Sequence, residues 1–176
     1  MTQRLAKWEE AIYGVDYLIQ ATGDILMTTL KRILAPTDFS GLGNDAVRRA
    51  ALLAARLVAA NARLAVLHAY RAPFDAKTRY KGFPEADILR YAEMESRATQ
   101  RDMDALLADP ELAGLDMARR IVHGDPNPAL PDAIRELDAD LIAVGKHGGS
   151  RLGEAVMGSV SRFLAYYAPC DVLVAP

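Results

Sequence analysis

A glycine-rich segment near the C-terminus has the spacing best suited to binding a phosphate group. Gly145 and Gly148 follow a short apolar run, and nine residues later Gly158 and Ser159 precede a helical pattern. Glycine lets the backbone approach a ligand closely, and a helix N-terminus attracts anions through its free N–H groups. Ser159 and Ser161 could cap that helix or donate a hydrogen bond to a phosphate. The segment predicts an anion site, although the glycines alone would equally suit a simple turn.

A carboxylate follows the first apolar run of the chain, at Asp38 in residues 36–40 (PTDFS). A carboxylate at the carboxyl end of a central strand can accept hydrogen bonds from ribose hydroxyls. It can also simply cap the next helix, as Asp and Ser often do. The position of Asp38 favours the ligand role if the glycine-rich segment binds a nucleotide.

A second glycine pattern comes directly after this carboxylate. Gly41-x-Gly43-x-x-Ala46 formally fits the fingerprint of dinucleotide-binding proteins. That fingerprint also requires an acidic residue about 20 residues further on, at the end of the second strand. The second apolar run ends instead in residues 68–70 (HAY), which carry no carboxylate. We therefore set an oxidoreductase aside.

Cationic and metal-binding side chains give weaker signals. Lys146 follows a glycine but lacks the G-x4-G-K-[ST] context of a P-loop, which favours a solvated loop lysine. Lys146, His147 and Arg151 would nevertheless supply positive charge beside phosphates. His68, His123 and His147 show no metal-ligand spacing with another His or Cys, and no Ser–His–Asp arrangement is recognisable. We interpret His68 as structural, whereas His147 could touch a ligand, and we predict neither a catalytic residue nor a metal centre.

The scaffold that positions these residues is visible in the hydrophobic pattern from residue 31 onward. Apolar runs bounded by turn signals alternate with stretches of helical periodicity. The predicted strands cover residues 33–35, 64–68, 117–122, 141–144 and 172–174, with 117–122 at a sheet edge. The predicted helices cover residues 47–60, 86–107, 128–137 and 159–167, after a turn at Gly41 and Gly43.

Such alternation predicts an α/β fold, with a single doubly wound parallel sheet of five strands and helices on both faces. Ligands bind sheets of this type at the carboxyl ends of the strands, where the winding direction reverses. The glycine-rich segment and Asp38 both follow predicted strands, so we expect them to meet at this edge.

Composition narrows the class of protein. The 176 residues suffice for one domain, and the formal net charge of −2 argues against a dedicated nucleic-acid-binding protein. Cys170 is the single cysteine, so no internal disulfide can form, and its place before an apolar run favours a buried role over a reactive thiol. No apolar run is long enough to span a membrane, and a secretory signal is not recognisable. We therefore expect a cytoplasmic protein without a membrane partner.

Residues 1–29 stand apart from the regular pattern. The helical spacing of their aromatic and aliphatic side chains is interrupted by Gly14 and Gly23. We expect an N-terminal extension that forms a short helix or is disordered, followed by a nucleotide-binding domain at 30–176. Met27 would make a natural start, so the first 26 residues could also be an upstream extension.

Five stretches of the chain resemble the universal stress protein family. They are residues 36–40 (PTDFS), 67–69 (LHA), 122–126 (VHGDP), Gly145-x2-Gly148-x9-Gly158-Ser159, and 168–174 (APCDVLV). The similarity covers about residues 31–176, and the glycine spacing is that of the ATP-binding branch of the family. The N-terminal 30 residues have no counterpart in the family core.

The resemblance implies a sheet of order 3-2-1-4-5 with ATP, or another adenine nucleotide, at its carboxyl edge. It places Asp38 at the ribose or adenine, with Thr37 beside it. Ala69, where many family members have valine, would lie against the adenine. Val144 and Gly145 would line the base and ribose.

The resemblance also implies a phosphate site and a dimer. The residues that would hold the phosphates, largely through backbone amides, are Gly148, Gly158, Ser159, Val160 and Ser161. Family members commonly form homodimers through the last strand, which here comprises Asp171 to Ala175.

Three functions remain open on the sequence. The first is a dimeric protein that binds ATP and whose occupancy reports energy or stress state to partners. The second is a slow ATP hydrolase or nucleotidyl-transfer enzyme that uses the same site with Mg²⁺ and a carboxylate from Asp38, Asp125 or Glu154. The third is a family member with a purely structural role and an empty site. The complete glycine pattern argues against this third function.

Overall fold

Strands and helices alternate through residues 30–56, 61–71, 84–148 and 157–175, the part of the chain that the computed structural model describes. The strands are β1 (Arg32–Pro36), β2 (Arg63–Tyr70), β3 (Met117–His123), β4 (Leu141–Gly145) and β5 (Asp171–Ala175). The α-helices are α1 (Gly41–Arg56), α2 (Glu85–Leu107), α3 (Pro126–Glu136) and α4 (Ser159–Tyr167). The predicted N-terminal extension, most of the loop after β2, and Arg151 and Glu154 lie outside the described residues.

The five strands form a parallel sheet in the order β3-β2-β1-β4-β5, which confirms the predicted order. β1 occupies the centre, and its residues Ile33 to Pro36 are all buried. A strand covered by helices on both faces has to be apolar throughout, as this one is. From β1 the chain winds to β2 and β3, then crosses to β4 and β5 on the other side. The winding therefore reverses between β1 and β4.

Helices cover both faces of the sheet, which confirms the doubly wound fold. On one face, α1 and α2 contribute Val47 and Met103 to a cluster that includes Ile33 of β1. On the other face, α3 contributes Leu130 to a cluster that includes Leu34. Neighbouring residues of β1 enter different clusters because successive side chains of a strand point to opposite faces.

The turn predicted at Gly41 and Gly43 is wrong, since α1 begins at Gly41. The hydroxyl of Ser40 accepts a hydrogen bond of 3.1 Å from the backbone N–H of Gly43. This is the bond of an N-cap residue, and it starts the helix earlier than the apolar periodicity suggests. Gly43 is buried inside the first turn of the helix, where it packs against Asp38.

Helix α3 also begins earlier than predicted, at Pro126. The carboxylate of Asp125 accepts a hydrogen bond of 3.0 Å from the backbone N–H of Asn127 and so caps the helix. Proline is favoured at the first position of a helix because its missing N–H would have no partner there. Pro126 and Pro128 therefore both lie in the first turn of the helix, and Pro126 begins it.

Peripheral features agree with the sequence patterns. β3 lies at the edge of the sheet, with Arg119 and Arg120 exposed, as predicted. Cys170 is half-buried, and this burial, with a contribution from the charge of Asp171, raises the pKa of its thiol to about 11. The thiol is therefore protonated near neutral pH, which favours a structural role. None of the described helices is both long and apolar enough to cross a membrane.

Candidate functional site

A cavity of about 240 Å³ lies at the carboxyl edge of the sheet, where β1 and β4 end and α4 begins. All ten residues that the sequence singles out as ligand-binding line it. These are Thr37, Asp38, Ala69, Val144, Gly145, Gly148, Gly158, Ser159, Val160 and Ser161. The cavity thus lies at the reversal of winding, the position at which doubly wound sheets bind ligands.

Five further residues complete the cavity wall. They are Pro36, Gly43, Pro126, Leu130 and His147. His147 carried a sequence signal, because it lies inside the glycine pattern. Pro126 ends the stretch 122–126 that the sequence had singled out, whereas Leu130 carried no signal, since only the docking of α3 on the sheet brings it to this edge.

One side of the cavity is apolar. Ala69, Leu130, Val144 and Val160 all belong to or pack against the hydrophobic cluster beneath α3 and α4. The surface suits a flat apolar group such as an aromatic base, whose burial would be favourable roughly in proportion to its area.

The polar part of the cavity wall includes the carboxylate of Asp38. Its Oδ1 accepts a hydrogen bond of 3.0 Å from the backbone N–H of Ser40 and another from the Ser40 hydroxyl. Its Oδ2 lies against Gly148, where a Cβ would stand only 2.5 Å away. A Cβ on Gly43 would stand equally close to Oδ1. Asp38 therefore does not cap α1 itself: it holds Ser40, which is the cap, and its carboxylate also lines the cavity.

The hydroxyl of Thr37 is used within the same turn. It donates a hydrogen bond of 2.8 Å to the side-chain oxygen of Asn44 and accepts one of 2.9 Å from the backbone N–H of Phe39. The backbone N–H of Thr37 bonds the carbonyl oxygen of Leu67 at 2.9 Å. Thr37 is also buried, so its polar atoms hold the turn in place beside the cavity.

His68 supports the turn from the other face of the sheet. Its Nδ1 lies 2.7 Å from the carbonyl oxygen of Thr37, and its ring stacks on Phe39 with 4.3 Å between the ring centroids. Phe39 has a φ of 60°, in the left-handed region that a bulky residue seldom adopts. The contact of Nδ1 and the stacked ring agree with the interpretation of His68 as a residue that supports the structure.

The start of α4 provides donors for an anion. Gly158 is the N-cap residue, and no described side chain caps the helix. The first N–H groups of an α-helix have no partner within the helix, so those of Ser159, Val160 and Ser161 are available at the cavity. Gly158 itself is anchored, since its N–H donates to the carbonyl oxygen of Lys146 at 2.8 Å.

The hydroxyl of Ser161 neither caps α4 nor faces an anion site. It is buried and donates a hydrogen bond of 2.6 Å to the carbonyl oxygen of Gly145. Any contact between Ser161 and a phosphate therefore falls to its backbone. Ser159, by contrast, is exposed at the first position of the helix.

The glycines of the pattern all lie in close contact with neighbouring atoms, most tightly at Gly145 and Gly148. A Cβ on Gly145 would stand 2.8 Å from the carbonyl oxygen of Leu42, and one on Gly158 would stand 3.3 Å from that of Lys146. Together with the contact of Gly148 and Asp38, these distances explain the spacing in steric terms. Glycine here permits close packing around the cavity rather than an unusual backbone angle.

His147 lines the cavity and has polar ring atoms that are buried. Both of its ring nitrogens are shielded from solvent, and neither has a hydrogen-bond partner among the residues that the structure describes. Buried polar groups are nearly always hydrogen-bonded in native proteins, so this ring is exceptional. Such a group at a cavity is typical of a site that a ligand or water completes.

The remaining charged candidates do not assemble a metal centre. Asp125 caps α3 and forms an ion pair with Arg71. Asp38 is the only carboxylate among the described residues that line the cavity. Across the described ranges, no three His, Cys, Asp or Glu side chains gather as metal ligands.

Comparison with known proteins identifies the family to which this chain is similar. The model of the universal stress protein family matches residues 29–176. A putative universal stress protein from Staphylococcus aureus strain USA300 is 29% identical over 160 residues, which covers 84% of this chain and 85% of that protein.

Solved structures share the fold. The hypothetical protein MJ0577 has a TM-score of 0.67 and 22% identity, over 84% of this chain and 96% of that one. This likeness bears on the fold alone. A universal stress protein solved in complex with cAMP has a TM-score of 0.52 and 28% identity, over 84% of this chain and 97% of that one.

Proposed function

The chain belongs to the universal stress protein family, and from this premise we propose that it binds ATP or another adenine nucleotide in the cavity at the carboxyl edge. The observation that carries the proposal is the convergence of ten residues, chosen from sequence alone, on the wall of one cavity. The cAMP complex of a family member supports an adenine nucleotide as the kind of ligand.

The proposed orientation follows from the chemistry of the two sides. The adenine lies against the apolar surface of Ala69 and Val144, and the ribose hydroxyls donate to the carboxylate of Asp38. The phosphates lie at the N-terminus of α4, where backbone N–H groups and the helix dipole favour negative charge. Gly148 and Gly158 allow the phosphates to approach the backbone.

The binding test uses the purified protein as it is isolated. Denaturation should release an adenine nucleotide that chromatography and mass spectrometry identify. After its removal, added ATP should raise the melting temperature, because a ligand that binds only the folded state stabilises that state. If no nucleotide is released and saturating ATP leaves the melting temperature unchanged, the proposal fails and the structural role without a ligand gains support.

The proposed biological role is that of a dimer whose nucleotide occupancy reports energy or stress state. β5 is an edge strand that pairs only with β4 among the described strands, and Leu173 is exposed on it. An open edge can pair with the same strand of a second copy, which gives a symmetric interface. The dimer should be visible by light scattering after gel filtration. Leu173→Lys should shift it towards monomer, whereas Leu52→Lys, at another exposed leucine, should not.

Slow hydrolysis of ATP is the alternative at the same site. Mg²⁺ commonly binds through one or two carboxylates together with the phosphates of the nucleotide. Asp38 is the carboxylate that the cavity offers, so it would hold the ion only if the phosphates fold towards β1. Phosphate release by the wild type and by Asp38→Ala decides between the two functions. Equal rates would exclude Asp38 from the reaction, and no turnover would leave a binding protein.

A further inference from the structure

We propose that His68 is a positioning residue for the nucleotide, because it holds both chain neighbours of Asp38 and so directs that carboxylate at the ribose. This inference rests on the proposed function. His68 does not line the cavity, whereas Ala69, the next residue in β2, does. Its effect on a ligand must therefore pass through the turn.

The first contact fixes the peptide group that precedes Asp38. A carbonyl oxygen only accepts hydrogen bonds, so Nδ1 of His68 donates to the oxygen of Thr37, 2.7 Å away. That oxygen belongs to the same planar unit as the backbone nitrogen of Asp38. The hydrogen bond therefore sets the plane from which the Asp38 side chain departs.

The second contact fixes the residue that follows Asp38. The rings of His68 and Phe39 are stacked at an interplanar angle of 28°, and Phe39 has a φ of 60°. A bulky side chain at positive φ persists only where its surroundings hold it. The stacked imidazole, with the hydrogen bond from the Phe39 N–H to Thr37, provides that support.

The imidazole of His68 is in turn held by two further aromatic rings. Tyr70 stacks on His68 with 6.0 Å between centroids and 12° between planes, and His123 packs edge-on against Tyr70 at 5.4 Å. The row of four rings crosses the carboxyl ends of β1, β2 and β3. It lies on the face away from the nucleotide cavity, so it can stiffen the turn without obstructing a ligand.

Two variants separate the contacts of His68. His68→Phe keeps an aromatic ring to stack on Phe39 but removes the donor to Thr37. His68→Asn keeps a donor near the position of Nδ1 but removes the ring. The readout is the ratio of Kd for 2′,3′-dideoxyATP to Kd for ATP by calorimetry, since this ratio reports the hydrogen bonds from ribose to Asp38.

The wild type should prefer ATP by about tenfold or more, the size expected for hydrogen bonds to a charged group. Asp38→Ala should reduce the ratio to about 1, by the same reasoning. His68→Phe should lower the ratio at least threefold while the adenine and phosphate contacts keep part of the affinity. In the Asp38→Ala background, His68→Phe should change nothing further, because the two residues act through one contact.

Each result has a defined meaning. A ratio that stays at the wild-type value in both His68 variants overturns the inference, even if their melting temperatures fall, because a purely structural role lowers stability without changing this preference. If the wild type binds ATP but shows no preference over the dideoxy analogue, the inference fails while nucleotide binding stands. If the wild type binds neither compound, the proposed function fails and the inference with it. If His68→Phe does not fold, His68→Asn is the test. A ratio below the wild-type value then supports the inference, and an unchanged ratio overturns it.

Discussion

Gly148 and Asp38 are packed so closely that a Cβ on the glycine would lie 2.5 Å from Oδ2 of the carboxylate. Real Cβ atoms essentially never approach an oxygen to that distance. A larger residue at the second glycine of the C-terminal pattern would therefore displace a side chain more than 100 positions earlier in the chain. This contact joins the end of β1 to the loop after β4 and makes the two halves of the site one unit.

Gly148→Ala should weaken nucleotide binding about tenfold or more, because the new methyl group displaces the charged hydrogen-bond acceptor proposed for the ribose. The melting temperature should fall only modestly, because Asp38 is an exposed side chain that can move aside at the loss of its hydrogen bonds to Ser40. Calorimetric titration with ATP and a thermal melt test the two expectations. Gly41→Ala is the matched control, because a Cβ there meets nothing within 4 Å. Equal losses of affinity in both variants would contradict the prediction.

Gly145→Ala should instead destabilise the fold. A Cβ at this position would stand 2.8 Å from the carbonyl oxygen of Leu42, which belongs to the backbone of α1 and cannot rotate away. Forcing a methyl group into such a contact costs about 1–3 kcal/mol. Urea unfolding should show this loss in Gly145→Ala and a much smaller one in Gly148→Ala. If the order is reversed, the packing of α1 on β4 is not as close as described.

Ser161→Ala should lower stability rather than affinity. Its buried hydroxyl donates to the carbonyl oxygen of Gly145 at 2.6 Å, and alanine leaves that acceptor unpaired at a cost of about 1–3 kcal/mol. Ser159→Ala, at an exposed position, should change stability by less than about 0.5 kcal/mol. If backbone amides hold the phosphates, both variants should keep their affinity for ATP within a few-fold. Loss of binding in Ser161→Ala at unchanged stability would show that its hydroxyl contacts the ligand.

Asp140 should make the fold sensitive to acid. Burial opposes its ionisation, but hydrogen bonds from the Arg32 side chain and from the backbone N–H groups of Lys31 and Arg32 outweigh burial and lower the pKa of the carboxyl. A carboxyl whose pKa is lowered by folding stabilises the protein above its unfolded pKa of about 3.9, and this contribution is lost as the pH falls through the folded value.

The test compares Asp140→Asn with the wild type in urea at pH 7 and pH 3. The variant should lose about 2 kcal/mol at pH 7, the size expected for hydrogen bonds to a charged group, and the difference should shrink at pH 3. Asp102→Asn, at an exposed carboxylate of α2, should show little effect at either pH. A gap between wild type and Asp140→Asn that is constant with pH would contradict the stated role of its charge.

The alternation of strands and helices could be predicted from local patterns, whereas the sheet order and most of the cavity residues followed from the resemblance to one family. Alternating strands and helices admit few topologies, and the resemblance of short stretches to one family supplies the order. The glycine spacing and Asp38 then identify a common edge. The apolar run at residues 33–35 was enough to predict β1. Gly158 before a helical pattern was enough to predict α4.

What sequence reasoning missed depends on side-chain hydrogen bonds and close packing that the apolar periodicity does not show. The helical state of Gly43 follows from its packing on Asp38 and the cap provided by Ser40. The partner of the Ser161 hydroxyl is a carbonyl group 16 residues away on β4. The cap by Ser40 is a local signal that the apolar periodicity does not show. The bond of Ser161, by contrast, exists only once α4 has docked against the sheet.

His147→Leu should stabilise the protein without ligand and weaken its binding of ATP. The imidazole has two buried nitrogens without a partner in the described part of the chain. Replacing such a group by an apolar one of similar size removes a penalty of about 1–3 kcal/mol. A higher melting temperature without nucleotide, together with a several-fold higher Kd for ATP, would show that the ring is kept for the ligand at a cost to stability. A lower melting temperature at unchanged Kd would contradict this and assign His147 to packing alone.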